Sequence, residues 1–187
     1  DLLEVLDHQL CGPAEYVFTK RKEFLALLID SVRERYHHIA GQQYDLQLRY
    51  ESPLLAAPFP LLLAQNRERD LFSQRTQLGI HRDDLVIGLG DKAFRHTASQ
   101  GQRKSLLCAL KLAEFAMWKS AKGFAPILLL DDVFEKLDET RMQNLLLEVC
   151  VQNEGQVFVT DTHPNRIRDS FTALGLPYQA VTSGPQQ

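Results

Sequence analysis

Several features that often reveal a protein's class are missing from this sequence of 187 residues. No run of about 18 apolar residues occurs and the first residues lack the basic and apolar regions of a signal peptide, so neither a membrane span nor secretion is predicted. Basic residues are not in excess, since 21 Lys and Arg stand against 24 Asp and Glu. Any contact with nucleic acid is therefore expected to rest on a local patch. These absences predict a cytoplasmic protein.

Cysteine is also scarce. Cys11, Cys108 and Cys150 are odd in number and widely spaced, and no C-x-x-C pair occurs. This argues against both a disulfide framework and a zinc site, and predicts buried, reduced thiols. The composition, 44% hydrophobic and 24% charged, is that of a globular protein with one large domain or two small ones.

The first part of the chain predicts a mainly helical lobe. Apolar residues recur with a helical period over residues 14–40, and Gly41 follows as a C-terminal cap. Apolar and polar residues alternate over residues 44–50, which predicts a strand covered on one face. Prolines then enforce a loop, and a second helix is expected over residues 60–78, ended by Gly79.

Basic side chains lie on the outer faces of these two predicted helices. Solvation of a charged face is the simpler explanation, and contact with DNA phosphates is the alternative. The candidate DNA contacts on the first helix are Lys20, Arg21, Lys22, Arg33 and Arg35, and those on the second are Arg67, Arg69 and Arg75. His37 and His38 are adjacent in sequence, point to different faces and make a poor metal pair.

From residue 79 onward, predicted strands alternate with helices. Segments 85–89 and 93–96 flank a Gly-Asp-Lys turn as in a hairpin. The further expected elements are a helix over 102–119, a strand over 127–130, a helix after Asp138, a strand over 157–160 and a short strand near 178–182. This alternation predicts an α/β fold with a parallel sheet covered by helices on both faces. It also places a domain boundary between a lobe of residues 1–78 and an α/β region of residues 79–187.

An apolar strand ends at two adjacent carboxylates, Asp131 and Asp132. Residues 127–130 show no polar alternation, as expected of a central strand buried on both faces. Ligands of open α/β sheets collect beyond the carboxyl ends of the strands, so the two acids are predicted to face a ligand. One carboxylate suits Mg²⁺ and the other suits orientation of an attacking water, as in phosphoryl transfer. Alternatively, the pair merely ends the strand and caps a turn.

The segment Ser99-Gln100-Gly101-Gln102 opens the helix that precedes this strand. Ser99 and Gln102 form a capping box, which is a sufficient structural explanation. The free N–H groups of the first turn, the serine hydroxyl and the helix dipole also make an anion site suited to a terminal phosphate. Both interpretations stay open from these residues alone.

The order of these segments resembles the C-terminal part of an ABC-type ATPase head, a P-loop NTPase-like sheet with flanking helices. Residues 99–102 match its signature motif, 127–132 its Walker B motif and 137–138 its D-loop. The segment Gly79-Ile-His-Arg-Asp-Asp-Leu85 and the runs 99–105, 128–134 and 155–160 are similar to the RecF family, SMC-like ATPases of DNA repair. The resemblance covers residues 36–168.

The resemblance implies ATP and Mg²⁺ as cofactors. It implies that Asp131 holds the metal, that Asp132 acts in catalysis, and that either His163 or Asp161 is the switch residue that contacts the γ-phosphate. The implied nucleotide contacts are Ser99, Gln100, Gly101, Gln102 and Asp138. Other ABC ATPases often carry Glu where Asp132 stands, and the shorter side chain implies slow hydrolysis.

The resemblance also implies a function in recombinational repair and replication restart. It implies an ATP-dependent homodimer that binds gapped or junction DNA and cooperates with RecR and RecO in loading RecA. The phosphate loop G-x-x-x-x-G-K-[ST] is missing, because no Gly in the sequence is followed by Lys. We therefore expect a fragment that alone hydrolyses little ATP. The alternatives are another SMC-like head, although sustained heptads are lacking, and a non-catalytic scaffold for partner binding.

Overall fold

The computed structural model describes residues 2–152 and 155–181, which form an α/β protein with two sheets. The elements are α1 (Leu2–Ala40), β1 (Leu46–Glu51), α2 (Phe59–Ser73), β2 (Asp84–Leu89), β3 (Lys92–Ala93), α3 (Phe94–Thr97), α4 (Gln100–Lys122), β4 (Leu128–Asp131), α5 (Glu139–Val151), β5 (Val157–Thr160) and α6 (Pro164–Ala173). They belong to two compact units. One contains residues up to 33 with 44–97, and the other contains residues 34–43 with the chain from 98 onward. Within the described residues, no helix is long and apolar enough to cross a bilayer.

The first unit contains an antiparallel sheet in the order β1-β2-β3. Leu46 and Leu48 of β1 are buried, whereas Gln47 and Arg49 between them are exposed. Side chains alternate between the two faces of a strand, so this pattern confirms a strand covered on one side. The strand itself runs from Leu46 to Glu51, one to two residues later than predicted.

α1 begins twelve residues before its predicted start at residue 14 and contains Pro13. Proline is unfavourable inside a helix because it lacks an N–H group and clashes with the preceding turn. Here tertiary contacts hold the segment around it in place. Ala14 is buried in a cluster with Phe59, and Asp7 forms an ion pair of 2.5 Å with Arg67. Packing within the unit therefore overrides the local signal.

The predicted end of α2 at residue 78 is wrong, because the helix stops at Ser73. Gln74 adopts a left-handed conformation with φ +52, and the Asp70 side chain accepts the N–H of Gln77 at 2.9 Å. These local hydrogen bonds provide acceptors for backbone N–H groups of the residues that follow the helix. Gly79 instead precedes a single 3₁₀ turn over Ile80–Arg82.

The hairpin after Gly79 is shorter than predicted. β3 is only Lys92–Ala93, and residues 94–97 form α3 in place of the expected strand, with Phe94 buried. Because β2 pairs with β1 along its whole length, the hairpin belongs to the first unit. The compact units therefore do not divide the chain at the predicted boundary between residues 78 and 79.

The second unit contains a parallel sheet of β4 and β5, joined by α5. α4, α6 and the last turns of α1 belong to the same unit. Its fully buried side chains include Tyr36, Ile39, Phe134, Leu145 and Leu146. A strand, a helix and a parallel strand in this order confirm the predicted α/β class.

β4 is not buried on both faces as predicted. Leu129 is 71% exposed and Phe158 of β5 is 54% exposed, so one face of the described sheet is apolar and open. The expected last strand is also wrong for residues 178–181, which form no strand, and Thr182 lies outside the described residues. Tyr178 instead packs on Phe171, with ring centroids 5.0 Å apart.

Candidate functional site

The two acids at the end of β4 stand beside the end of β5. Asp131 pairs with Thr160 in the parallel ladder, and the Thr160 hydroxyl donates a hydrogen bond to Asp131 Oδ1 at 2.5 Å. The Asp132 N–H donates to the Thr160 carbonyl oxygen at 3.3 Å. Asp131 is exposed and Asp132 half-buried. Carboxylate oxygens are therefore available at the edge where open α/β sheets bind ligands.

Asp132 turns the chain away from the sheet. Its φ of +47 is in the left-handed region, which costs a non-glycine residue about 1–2 kcal/mol. Lys104 of α4 lies against this turn, with Nζ 3.4 Å from the Asp132 carbonyl oxygen. The helix that carries the signature segment thus contacts the turn that carries the acids.

Within the described residues, no three His, Cys, Asp or Glu side chains are grouped so that they could hold a metal ion. Mg²⁺ does not require such a group, because it keeps several waters and binds through one or two carboxylates together with substrate phosphates. The exposed Asp131 carboxylate, next to Asp132 and the Thr160 hydroxyl, supplies the oxygen donors that such binding needs. The donor set fits magnesium that arrives with a nucleotide.

Ser99 caps α4 as predicted. Its Oγ accepts the N–H of Gln102 at 3.2 Å, and Gln102 Oε1 accepts the N–H of Ser99 at 2.8 Å. The capping box therefore exists, and it leaves the hydroxyl proton of Ser99 free to be donated. Ser99 and Gln100 are exposed. The start of α4 thus offers a hydroxyl and helix N–H groups to an anion from solvent.

Asp138 occupies the corresponding position at the start of α5. Its Oδ1 accepts the backbone N–H of Arg141 at 2.9 Å, and its Oδ2 accepts Arg141 Nη1 at 2.5 Å. The predicted D-loop aspartate is therefore the N-cap of α5, with a carboxylate that is still half exposed.

The two switch candidates after β5 have different environments. The Asp161 side chain is fully buried and accepts bonds from the His163 N–H at 2.6 Å and from Arg166. Burial alone would raise the pKa of Asp161, but these hydrogen bonds and the Arg166 charge outweigh it and hold the pKa below its usual value. The His163 side chain is 74% exposed, with Nδ1 3.0 Å from Thr162 Oγ1. The Asp161 carboxylate is therefore hydrogen-bonded within the protein, whereas the His163 ring faces solvent.

Two of the candidate DNA contacts on α1 form exposed ion pairs. Lys20 Nζ lies 2.8 Å from Glu23 Oε2, and Arg33 Nη1 lies 3.1 Å from Asp30 Oδ1. Exposed ion pairs contribute little to stability because water and salt screen them, so such side chains can exchange a carboxylate for a phosphate. Lys22 is exposed and has no ion pair among the described residues. A DNA contact by these three residues stays a prediction.

The other two candidates hold buried carboxylates. Arg21 Nη1 lies 2.7 Å from Asp83 Oδ2, which also accepts the hydroxyl of Tyr50 at 2.6 Å. Arg35 pairs with the buried Glu148 of α5. Removing the cation from a buried carboxylate is costly. These two arginines have structural partners in the described chain.

Sequence reasoning missed three side chains that shape the site. Thr160 orients Asp131, Arg166 holds Asp161, and Arg141 holds Asp138. A threonine at the end of a predicted strand is a weak signal, and the two arginines follow their partners by five and three residues. Both aspartates precede the first residue of the helix that carries their arginine, so the rule for neighbouring side chains on a helix does not predict these contacts.

No protein-family model matches the chain. Several curated proteins named "DNA replication and repair protein RecF" do match it. The protein from Flavobacterium johnsoniae is 41% identical over 89% of the chain, that from Parabacteroides distasonis 38% over 95%, and that from Phocaeicola vulgatus 36% over 98%. The matches cover 46%, 48% and 50% of these proteins, so the chain spans about half their length.

Two solved structures share the fold. One is described as the recombination mediator protein RecF with ATP in the RecFOR pathway, with a TM-score of 0.71 and 29% identity over 87% of the chain. The other is described as the same protein with ATPrS, with a TM-score of 0.70 and 28% identity over 89%. The chain covers 45% and 46% of these proteins. The chain is thus a homologue of RecF over about half the length of those proteins, with the α/β fold of their ABC ATPase head.

Proposed function

We propose that the chain supplies the signature, Walker B, D-loop and switch residues of a RecF-type ATPase that binds DNA in its ATP-bound dimer. The observation that carries this proposal is the exposed Asp131 carboxylate at the carboxyl edge of a parallel sheet, which accepts the Thr160 hydroxyl and stands next to the half-buried Asp132. An ordered carboxylate at this edge suits a nucleotide with its metal. Homology to RecF supports the same assignment.

The site residues have distinct roles in this proposal. Asp131 holds Mg²⁺, which neutralises phosphate charge, and Asp132 orients the attacking water. His163 contacts the γ-phosphate of the same nucleotide, because its ring is exposed while Asp161 is occupied by Arg166. In a second subunit, the exposed Ser99 hydroxyl and the first N–H groups of α4 donate to that phosphate. Asp138 lies at the same subunit boundary.

The phosphate loop comes from a part of the protein that is not in this sequence. The open apolar face with Leu129 and Phe158 supports this, because a sheet face of this kind is normally covered. The relatives are about twice as long as the chain, which leaves room for such a segment. Its packing on this face would complete the nucleotide site.

The biological role follows from the family. The protein acts in the cytoplasm in recombinational repair and replication restart, recognises gapped or junction DNA and works with RecR and RecO to load RecA. Lys20, Lys22 and Arg33 remain candidate phosphate contacts, because none of them holds a buried carboxylate. A net charge of −3 does not exclude a local basic surface. The named relatives favour this role over that of another SMC-like head or a scaffold without activity.

A comparison of ATP turnover by the wild-type protein and by Asp131→Ala tests the proposal. In the protein expressed from its full coding sequence, ATP is expected to cause dimerisation and slow hydrolysis, and Asp131→Ala to abolish turnover. Asp132→Asn should lengthen the lifetime of the ATP-bound dimer. The 187-residue chain alone is expected to hydrolyse little or no ATP. Substantial turnover by the pure chain that Asp131→Ala abolishes, or an unchanged dimer lifetime in Asp132→Asn, would contradict the proposed roles.

A further inference from the structure

Gly101 lies in a tight space, which its neighbours would have to widen by a few tenths of an ångström to admit a Cβ atom. A Cβ atom at this position would be 3.1 Å from Arg141 Nη1 and 3.3 Å from the Lys136 carbonyl oxygen. Gly101 is in the first turn of α4, and its φ is not in the left-handed region that favours glycine. The need for glycine is therefore spatial, and the atoms that impose it belong to the protein.

Arg141 is held in this position from its other side. Its Nη1 donates to Asp138 Oδ2 at 2.5 Å, and its backbone N–H donates to Asp138 Oδ1 at 2.9 Å. The side chain is only 15% exposed. The guanidinium thus lies between the first turn of α4 and the carboxylate that caps α5. It is planar and carries several donors in fixed directions, so a lysine ammonium does not reproduce the contact.

The loop before α5 contributes the second contact with Gly101. Lys136 has φ +69, an uncommon conformation for a non-glycine residue. Its carbonyl oxygen approaches Gly101 from this conformation. The turn over Ser99–Gly101 is therefore packed directly on the loop that precedes α5.

We infer that Arg141 is a positioning residue that fixes the Ser99–Gly101 turn to the Asp138 loop, and that this contact sets the requirement for glycine at position 101. The inference rests on the proposed function only in giving these two segments a shared role at the nucleotide. We expect displacement of either segment to disturb the other, because little space separates them at Gly101. A shift of about 1 Å at such a site is enough to slow a reaction that depends on positioning.

A double-mutant cycle tests the packing without any nucleotide. In the full-length protein, Gly101→Ala should lower the thermal unfolding midpoint by about a few degrees, because the added methyl group slightly overpacks this contact. In the Arg141→Ala background, the same substitution should lower it by roughly half as much, because one of the two contacts is gone. Gln143→Ala is the matched control on α5, and Gly101→Ala should keep its full effect there. Equal effects of Gly101→Ala in all three backgrounds would overturn the inference.

If Gly101→Ala does not fold, the yield of soluble protein is measured instead of the unfolding midpoint. The double variant with Gly101→Ala and Arg141→Ala should then give folded protein. Failure of the double variant to recover any would count against the role of Arg141.

Turnover separates positioning from general stability. Measured well below the unfolding midpoint, Arg141→Ala should lower kcat and leave KM for ATP unchanged, with Arg141→Lys intermediate and Gln143→Ala like wild type. An unchanged kcat in Arg141→Ala would show that the residue does not position the site. Absence of ATP turnover in the wild-type protein would refute the proposed function instead, and the stability cycle would still decide the packing.

Discussion

His163 donates its backbone N–H to the Asp161 carboxylate at 2.6 Å, while its own ring stands in solvent. Asp161 and His163 are two positions apart in the sequence, but their side chains have opposite environments. The buried carboxylate orders the turn after β5, and the exposed imidazole is available to a ligand. This exposure is the reason that we propose His163, rather than Asp161, as the residue that contacts a nucleotide.

Substitution of these two residues should have different effects. His163→Ala should lower kcat for ATP in the full-length protein by about 10²-fold, the usual order for loss of one electrostatic contact in a transition state. It should change the free energy of unfolding by less than about 0.5 kcal/mol, as expected at an exposed site. Turnover assays and urea unfolding measure the two effects. A variant with normal kcat would remove His163 from the site.

Asp161→Asn should instead lower stability in a pH-dependent way. The pKa of Asp161 is lowered in the folded protein, so its carboxylate stabilises the fold above the unfolded-state pKa of about 3.9. That stabilisation is lost as pH falls through the lower, folded-state value. The stability difference between wild type and Asp161→Asn should therefore be largest near neutral pH and shrink below about pH 4. Urea unfolding across this range measures it, and a difference independent of pH would contradict the assignment.

Thr160→Val should loosen the Asp131 carboxylate. The substitution keeps the shape of the side chain and the strand but removes the hydroxyl that donates to Asp131 Oδ1. We expect a loss of about 0.5–1 kcal/mol in stability, the usual contribution of one hydrogen bond, together with lower ATP turnover. Thr160→Ser retains the hydroxyl and is the control. Equal turnover in the valine and serine variants would show that the bond does not orient the carboxylate.

Tyr50 should titrate late. Burial, together with its hydrogen bond to the buried Asp83, raises the pKa of the Tyr50 phenol to about 12. Because the neutral phenol is favoured in the fold, its stabilisation is complete below the ordinary value of about 10 and is lost as pH rises through the higher value. Phenolate absorbance during an alkaline titration should include a late step from Tyr50. Tyr50→Phe should remove that step, and its persistence would contradict the assignment.

Local interactions explain the elements that the sequence predicted well. The Ser99 capping box, the end of α1 at Gly41 and the strand Val157–Thr160 all appear where the residues indicated. Each depends on bonds between residues a few positions apart or on a short apolar run between polar neighbours. The family resemblance rested on the same segments, and the RecF relatives confirm it.

Non-local contacts explain the errors. α1 continues through Pro13 because Ala14 packs with Phe59. The sheet face with Leu129 and Phe158 is exposed to solvent among the described residues, although the apolar run predicted a strand covered on both faces. Apolar periodicity reports how a strand is composed, but not whether something covers it.

The sequence by itself determined the order of the motifs and the α/β class, because strand, helix and cap signals act over a few residues. Only the tertiary structure decided which charged side chains pair within the protein and which stay exposed to solvent. Arg141 and Arg166 bind carboxylates, Asp161 is buried, and Asp131 and His163 remain exposed. Burial and ion pairing depend on neighbours brought together by folding, and the linear order of residues does not record those neighbours.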